Sequence, residues 1–159
     1  MSLRARLIAA WETTYGPGST TMTDERFDPQ RFLHRFGHRG HHGALGIRYL
    51  DHGKDWVALA IDTDREGIAG GPGSIGPVAT LLDMAGLLAV WTTRNEVLPV
   101  VTLDMRLHYL DGRRSTVASQ SKARCQHATE THFYVEGFAH CGDPADPAIR
   151  FIATYMLAA

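Results

Sequence analysis

Cysteine is scarce: only Cys125 and Cys141 occur in 159 residues, both inside strand-like runs. That pattern does not describe a secreted scaffold stapled by disulfides, and a reducing compartment, the cytoplasm, is expected. An excess of either charge is also missing. Sixteen Lys and Arg stand against 17 Asp and Glu, for a formal net charge of −1. Without a basic excess there is no electrostatic case for nucleic acid as a partner. No apolar run is long and pure enough to read as a membrane span. The best candidate, residues 75–91, is about 17 residues long, at the short limit, and carries Pro77, Asp83 and Gly86. The apolar stretch Leu7 to Trp11 is too short for a secretory signal. Repeats, linkers and low-complexity tracts are absent. What remains is a chain of one-domain length, 44% hydrophobic, able to bury a core.

The first forty residues read as an extension. An amphipathic helix is expected over Leu3–Thr14, with Leu3, Leu7, Ile8 and Trp11 on one side. A Gly16-Pro17-Gly18 break follows, then a short helix at Pro29–Phe36. From there the pattern changes. Ala44–Leu50 and Trp56–Ile61 read as strands joined by the turn Asp51-His52-Gly53-Lys54. A glycine loop, Gly70 to Ser74, opens a long helix ending near Asn95. Four more strand-like runs close the chain: Val97–Leu110, Ser115–Cys125, His132–Cys141 and Ile149–Leu157. In the first of them Val101, Leu103, Met105, Leu107 and Tyr109 alternate with Thr102, Asp104, Arg106 and His108. Period two predicts one buried face and one wet or interfacial face. Strands at short intervals without helices between them predict an antiparallel meander. The expected fold is α+β: one long central helix wrapped by a curved antiparallel sheet of five to six strands. An N-terminal helical extension (1–40) precedes the main domain (41–159).

Asp83 is the residue out of place. The run from Ile75 to Trp91 is apolar on nearly every side of it, which predicts a helix buried all round. A carboxylate there loses water at a cost in free energy unless partners compensate. The glycine loop ahead of the helix leaves backbone N–H groups and the positive end of the dipole pointing outward. Gly76, Thr80 and Asp83 fall on one small, polar face, and Val78, Leu81, Leu82, Ala85 and Leu88 form the opposite, core stripe. An acid two turns behind an electrophilic helix start is the beginning of an active site.

Two other patterns carry less. Gly71-Pro72-Gly73-Ser74-Ile75-Gly76 matches G-x-G-x-x-G, but about ten residues separate it from the preceding strand and the remaining Rossmann βα units are missing. It reads as a turn that lets a helix start close to other backbone. His34, His38, His41 and His42 cluster at spacings that could suit a metal. Gly37, Gly40 and Gly43 interrupt any helix there, and no acid or cysteine accompanies them, so they read as surface loop histidines.

The order of elements and three local motifs resemble the hotdog-fold acyl-CoA thioesterases of the phenylacetate-pathway (PaaI-like) group, over roughly Leu45 to Leu157. The helix signature of that family is His-Gly-Gly, four residues, Leu, one residue and the catalytic acid. Ser74-Ile75-Gly76-Pro77-Val78-Ala79-Thr80-Leu81-Leu82-Asp83 fits that spacing. Val101–Leu110 resembles the strand after the helix, and Ala139–Pro147 the closing hairpin. The resemblance places the catalytic carboxylate, a base for water or a direct nucleophile, at Asp83. It gives Ile75 and Gly76, at the helix start, the backbone N–H that polarises the thioester carbonyl. Thr102 falls where relatives orient water with a hydroxyl. Departures are plain: Ser74 replaces the motif histidine, the upstream amide becomes Ile68 or a gap, and Asp111-Gly112-Arg113-Arg114 replaces an Arg-Pro.

The expected function is hydrolysis of an acyl-CoA thioester. Asp83, Ile75, Gly76 and Thr102 are the catalytic set, and Ser74, Thr80, Arg113 and Arg114 meet the substrate. Arg113 and Arg114 are candidates for the CoA phosphates. The resemblance implies no metal or redox cofactor, CoA entering only with the substrate. It also implies a homodimer or homotetramer with interface active sites, without nucleic acid or membrane. A hydratase would want a histidine paired with the acid, and none lies on the Asp83 helix. A non-catalytic acyl-CoA or lipid-binding hotdog protein is the rival reading.

Overall fold

A computed structural model describes residues 9, 13, 26–62, 75–111 and 118–158. Of the expected helix at Leu3–Thr14 only residues 9 and 13 are described, both helical, and the glycine loop at residues 70–74 lies outside the described residues. Helix α1, Pro29–Phe36, is capped by Asp28, whose Oδ1 accepts the N–H groups of Gln30 at 2.8 Å and Arg31 at 3.2 Å. Its apolar side, Phe32, Leu33 and Phe36, is buried. Phe32 and Phe27 meet the ring of Trp91 edge-on, at 5.1 and 5.5 Å between centroids. Through these contacts residues 27–36 join the main core. A one-turn helix, α2 (Gly40–Ala44), follows where a loop was expected, and the strand expected from Ala44 begins only at Arg48. Glycines shape it. Gly40 and Gly46 hold φ of +57° and +62°, and a Cβ on Gly43 would lie 2.1 Å from the carbonyl oxygen of His38.

Strands β1 (Arg48–His52) and β2 (Trp56–Ala60) form a hairpin. The long helix α3 (Gly76–Arg94) follows, capped by Ile75 and by Asn95 in the left-handed conformation. Asn95 Oδ1 also takes the backbone N–H of Phe27 at 2.9 Å, tying the N-terminal segment to the far end of α3. Strands β3 (Val100–Tyr109), β4 (Gln120–Ala128), β5 (His132–His140) and β6 (Ile149–Leu157) complete one six-stranded sheet. Every pairing is antiparallel, in the order β1-β2-β4-β5-β6-β3. Bulges at Leu50, Leu103 and Gln126 interrupt the ladders, as expected of a sheet that curves around a helix.

The α+β reading, with a central helix and a curved antiparallel sheet, is what the structure has. The helix is long and apolar enough to pass for a membrane span, yet most of it is buried in the protein. Val78, Leu81, Leu82, Ala85 and Leu88 are its core side. They pack with Leu59, Phe133, Phe151 and Tyr155. The expectation of burial all round is corrected. α3 packs chiefly on β2, β4 and β5, with little contact to β3 and β6. That off-centre seat leaves Gly76, Ala79, Thr80, Asp83 and Leu87 as a stripe that is not fully buried.

A second correction concerns β3. Thr102 pairs with Tyr155 and Asp104 with Thr154, so Leu103 is an extra, unpaired residue. An inserted residue reverses the parity of side chains along a strand. Thr102 therefore faces the helix, as do Met105 and Leu107 beyond the bulge, while Val101 joins Asp104, Arg106 and His108 on the outer side. Val101 and Leu103 are 44% and 51% exposed on this edge strand. Neither cysteine is in a disulfide; Cys125 is buried and Cys141 exposed.

Candidate active site

Asp83 lies midway along α3, half-buried on the open stripe. Its Oδ1 accepts two hydroxyls: Thr102 Oγ1 from β3 at 3.0 Å and Tyr155 Oη from β6 at 3.1 Å. Tyr155 Oη also lies 3.0 Å from the Asp83 carbonyl oxygen. Two donors on one oxygen stabilise the carboxylate and fix its rotamer. Oδ2 takes no hydrogen bond among the described residues, and no Lys or Arg pairs with this carboxylate there. The result is a held carboxylate with one oxygen presented outward.

Tyr155 is buried, and burial pushes its phenol well above the usual range, helped by the charge and hydrogen bond of Asp83. It stays a donor at every working pH. Its approach depends on Gly86, one turn beyond Asp83: a Cβ there would lie 2.2 Å from Tyr155 Oη. Sequence reasoning found neither residue. A tyrosine in a last strand and a glycine in an apolar helix carry no local sign of a contact made across 72 residues.

Thr80 lies one turn before Asp83 on the same stripe. Its hydroxyl donates to the Gly76 carbonyl at 3.1 Å. His41 Nε2 lies 3.3 Å from that hydroxyl oxygen. With the hydroxyl hydrogen committed, the imidazole must be the donor. This places α2 against the polar face of α3. His42, next to it and half-buried, stands within electrostatic reach of Asp83. Burial holds His42 below the usual imidazole range; His41 lowers it further, and Asp83 pulls the other way. His41 and His42 are therefore not loop histidines: both sit on the glycine-shaped turn α2, and His41 reaches Thr80 on the candidate stripe. Among the described residues no three His, Cys, Asp or Glu side chains gather as metal ligands.

Of the residues singled out from the sequence, the structure brings Asp83 and Thr102 into contact. Thr80 lies on their stripe with its hydroxyl engaged by Gly76 and His41. Ile75 and Gly76 stand at the start of α3, where backbone N–H groups have no intrahelical partner. They are eight and seven residues, hence about 12 and 10 Å along the axis, from Asp83. Ser74, Ile68, Arg113 and Arg114 lie outside the described residues.

No protein-family model and no curated protein matches the chain. Solved structures do. A mutant thioesterase from Pseudomonas aeruginosa is similar with a TM-score of 0.68 at 18% identity, over 84% of this chain and 96% of that one. A thioesterase from Haemophilus influenzae gives 0.67 at 17% identity, over 84% and 93%. A mutant of the phenylacetic acid degradation protein PaaI from Thermus thermophilus gives 0.59 at 20%, over 73% and 96%. The chain has the hotdog fold of these thioesterase-superfamily structures, with a half-buried carboxylate held at the open face of its central helix.

Proposed function

We propose that the chain hydrolyses an acyl-CoA thioester to the free acid and CoA. The observation that carries this reading is Asp83, with Oδ1 held by Thr102 and Tyr155 and Oδ2 turned outward. As a base, Oδ2 takes a proton from water while the water oxygen adds to the thioester carbon. Collapse of the tetrahedral intermediate re-forms the C=O bond and expels the thiolate, which is then protonated. As a nucleophile, the same oxygen adds to the carbon directly, the C–S bond breaks to expel the CoA thiolate, which is then protonated, and water hydrolyses the resulting mixed anhydride to the free acid and the Asp83 carboxylate. In either case the oxyanion is met by backbone N–H groups at a helix start, here those of Ile75 and Gly76.

That geometry requires two chains. One carbonyl cannot sit about 3 Å from both Asp83 and an N–H about 10 Å away along the same helix. The chain therefore acts as a homodimer, within a dimer or a tetramer, with Asp83 of one subunit beside the helix start of the other. Edge strand β3, exposed at Val101 and Leu103, supports this reading as the pairing edge. Ser74, Thr80, Arg113 and Arg114 are assigned to substrate, the two arginines to CoA phosphates. The protein works in the cytoplasm without metal or redox cofactor.

Ser74, standing where the family signature has histidine, favours a second reading: an acyl-CoA-binding protein without turnover. A histidine does reach the Asp83 face of α3, His41 through Thr80, so an enoyl thioester belongs among the test substrates. The decisive assay offers aromatic, short-chain, long-chain and 2-enoyl-CoA thioesters, follows thiol release, and measures binding by calorimetry. Thiol release from at least one class is expected. Binding without release supports the second reading, hydration of the enoyl thioester alone replaces the reaction, and neither binding nor turnover overturns the proposal.

A further inference from the structure

His41 belongs to no motif of the hotdog thioesterases singled out above, and it comes from chain that precedes the sheet. Its placement is nevertheless built. Gly40 and Gly46, both with positive φ, bracket the turn that carries it, and Gly43 packs where no side chain fits. Its Nε2 lies 3.3 Å from Thr80 Oγ1, and that hydroxyl donates to the Gly76 carbonyl oxygen at 3.1 Å. The imidazole therefore stands within about two hydrogen-bond lengths of the residue that opens α3. The same contact fixes the tautomer. Nε2 carries the hydrogen given to Thr80, so in the neutral ring Nδ1 is an acceptor. The side chain is exposed, and Nδ1 takes no hydrogen bond among the described residues.

We propose that His41 is a substrate-binding residue that reads the thiol arm of the thioester, its Nδ1 accepting the amide N–H of the cysteamine unit of CoA. The inference rests on the hydrolysis proposed above, in which the N–H groups of Ile75 and Gly76 meet the carbonyl oxygen. A thioester held there has two arms. A plain alkyl or aryl acyl arm offers no hydrogen-bond donor. The thiol arm carries an N–H separated from sulfur by only an ethylene group. Gly76 and Thr80 are about 6 Å apart along the axis, a span that this short unit bridges. An unused acceptor beside the helix start therefore has one partner in an acyl-CoA, and it lies on the CoA side. Gly76 and Thr80 share one helix, so His41 stands beside the N–H groups of its own subunit, whichever chain supplies Asp83. His41 selects the thiol and leaves the acyl group to other residues.

A pair of substrates tests this in the full-length protein: the N-acetylcysteamine and butanethiol thioesters of an acid whose CoA thioester is turned over. The first has the amide and the second lacks it. His41→Lys keeps a donor for Thr80 and supplies no acceptor, whereas His41→Gln has both. In His41→Lys, kcat/KM for the amide-bearing substrate falls about fivefold relative to the amide-free one, the worth of one neutral hydrogen bond. His41→Gln keeps the wild-type ratio. A ratio unchanged in His41→Lys, or changed equally in both variants, overturns the proposal, and His41 then only holds α2 on α3. If no thioester is turned over, the functional reading fails by itself, and calorimetry with S-butyl-pantetheine, a thioether without phosphates, decides the contact. Binding about fivefold weaker to His41→Lys than to His41→Gln upholds it; equal or absent binding overturns it.

Discussion

Replacing Asp83 by asparagine separates catalysis from architecture, because the structure sets the stability cost in advance. Asparagine keeps the shape and an acceptor at Oδ1, so Thr102 and Tyr155 retain a partner. Each bond changes from charged to neutral acceptor, a loss of about 1 kcal/mol apiece, hence about 2 kcal/mol. Removing a half-buried charge returns about 1–3 kcal/mol of desolvation cost. The sum lies within about 1–2 kcal/mol of zero, and Tm should move by no more than about 2–8 °C in a chain of this size. Activity should behave otherwise. A general base contributes about 10²–10⁴-fold, so kcat should fall at least about a hundredfold with KM little changed. Thiol release and thermal melting are measured on one preparation. Unchanged hydrolysis at near-native Tm refutes the catalytic role of Asp83. A loss of about 3–5 kcal/mol, as for a broken buried ion pair, with activity lost only through unfolding, makes Asp83 structural and refutes the ledger as well.

Gly86→Ala places a methyl group 2.2 Å from Tyr155 Oη. Despite the better helix propensity of alanine, overpacking should cost about 1–3 kcal/mol in denaturant melts and lower kcat by moving the tyrosine off Asp83. Tyr155→Phe removes the same hydrogen bond without the clash and should slow hydrolysis while leaving the melt closer to wild type. Chains of 17.5 kDa paired along β3 should scatter light as a dimer or larger. The double variant Val101→Lys, Leu103→Lys puts like charges at the exposed edge and should yield monomers without hydrolysis. A wild-type monomer at micromolar concentration refutes the shared site.

Much of this molecule is written in local pattern. The period of Val78, Leu81, Leu82, Ala85 and Leu88 marks the buried side of α3, and the short helix Pro29–Phe36 stands where the sequence predicts it. Strand runs without intervening helices point to antiparallel pairing, though not to a strand order in which β3 lies beyond β6 at the edge rather than beside β4, and a lone acid in an apolar helix marks the candidate site. These follow from helical and strand geometry within a dozen residues, which a single sequence displays. Other decisions are made only between distant segments. The bulge at Leu103 turns Thr102 toward Asp83, although alternation along β3 reads as unbroken, because a register shift depends on what β6 offers across the sheet. Tyr155 reaches Asp83 because Gly86 leaves room, a fit between elements that no spacing records. His41, in a stretch broken by glycines, arrives at the helix face because those same glycines fold the turn back onto Thr80. The sequence alone determined which residues prefer helix, strand and interior; packing of α3 off the centre of the sheet decided which of its sides stays open, and so where the acid can meet a substrate.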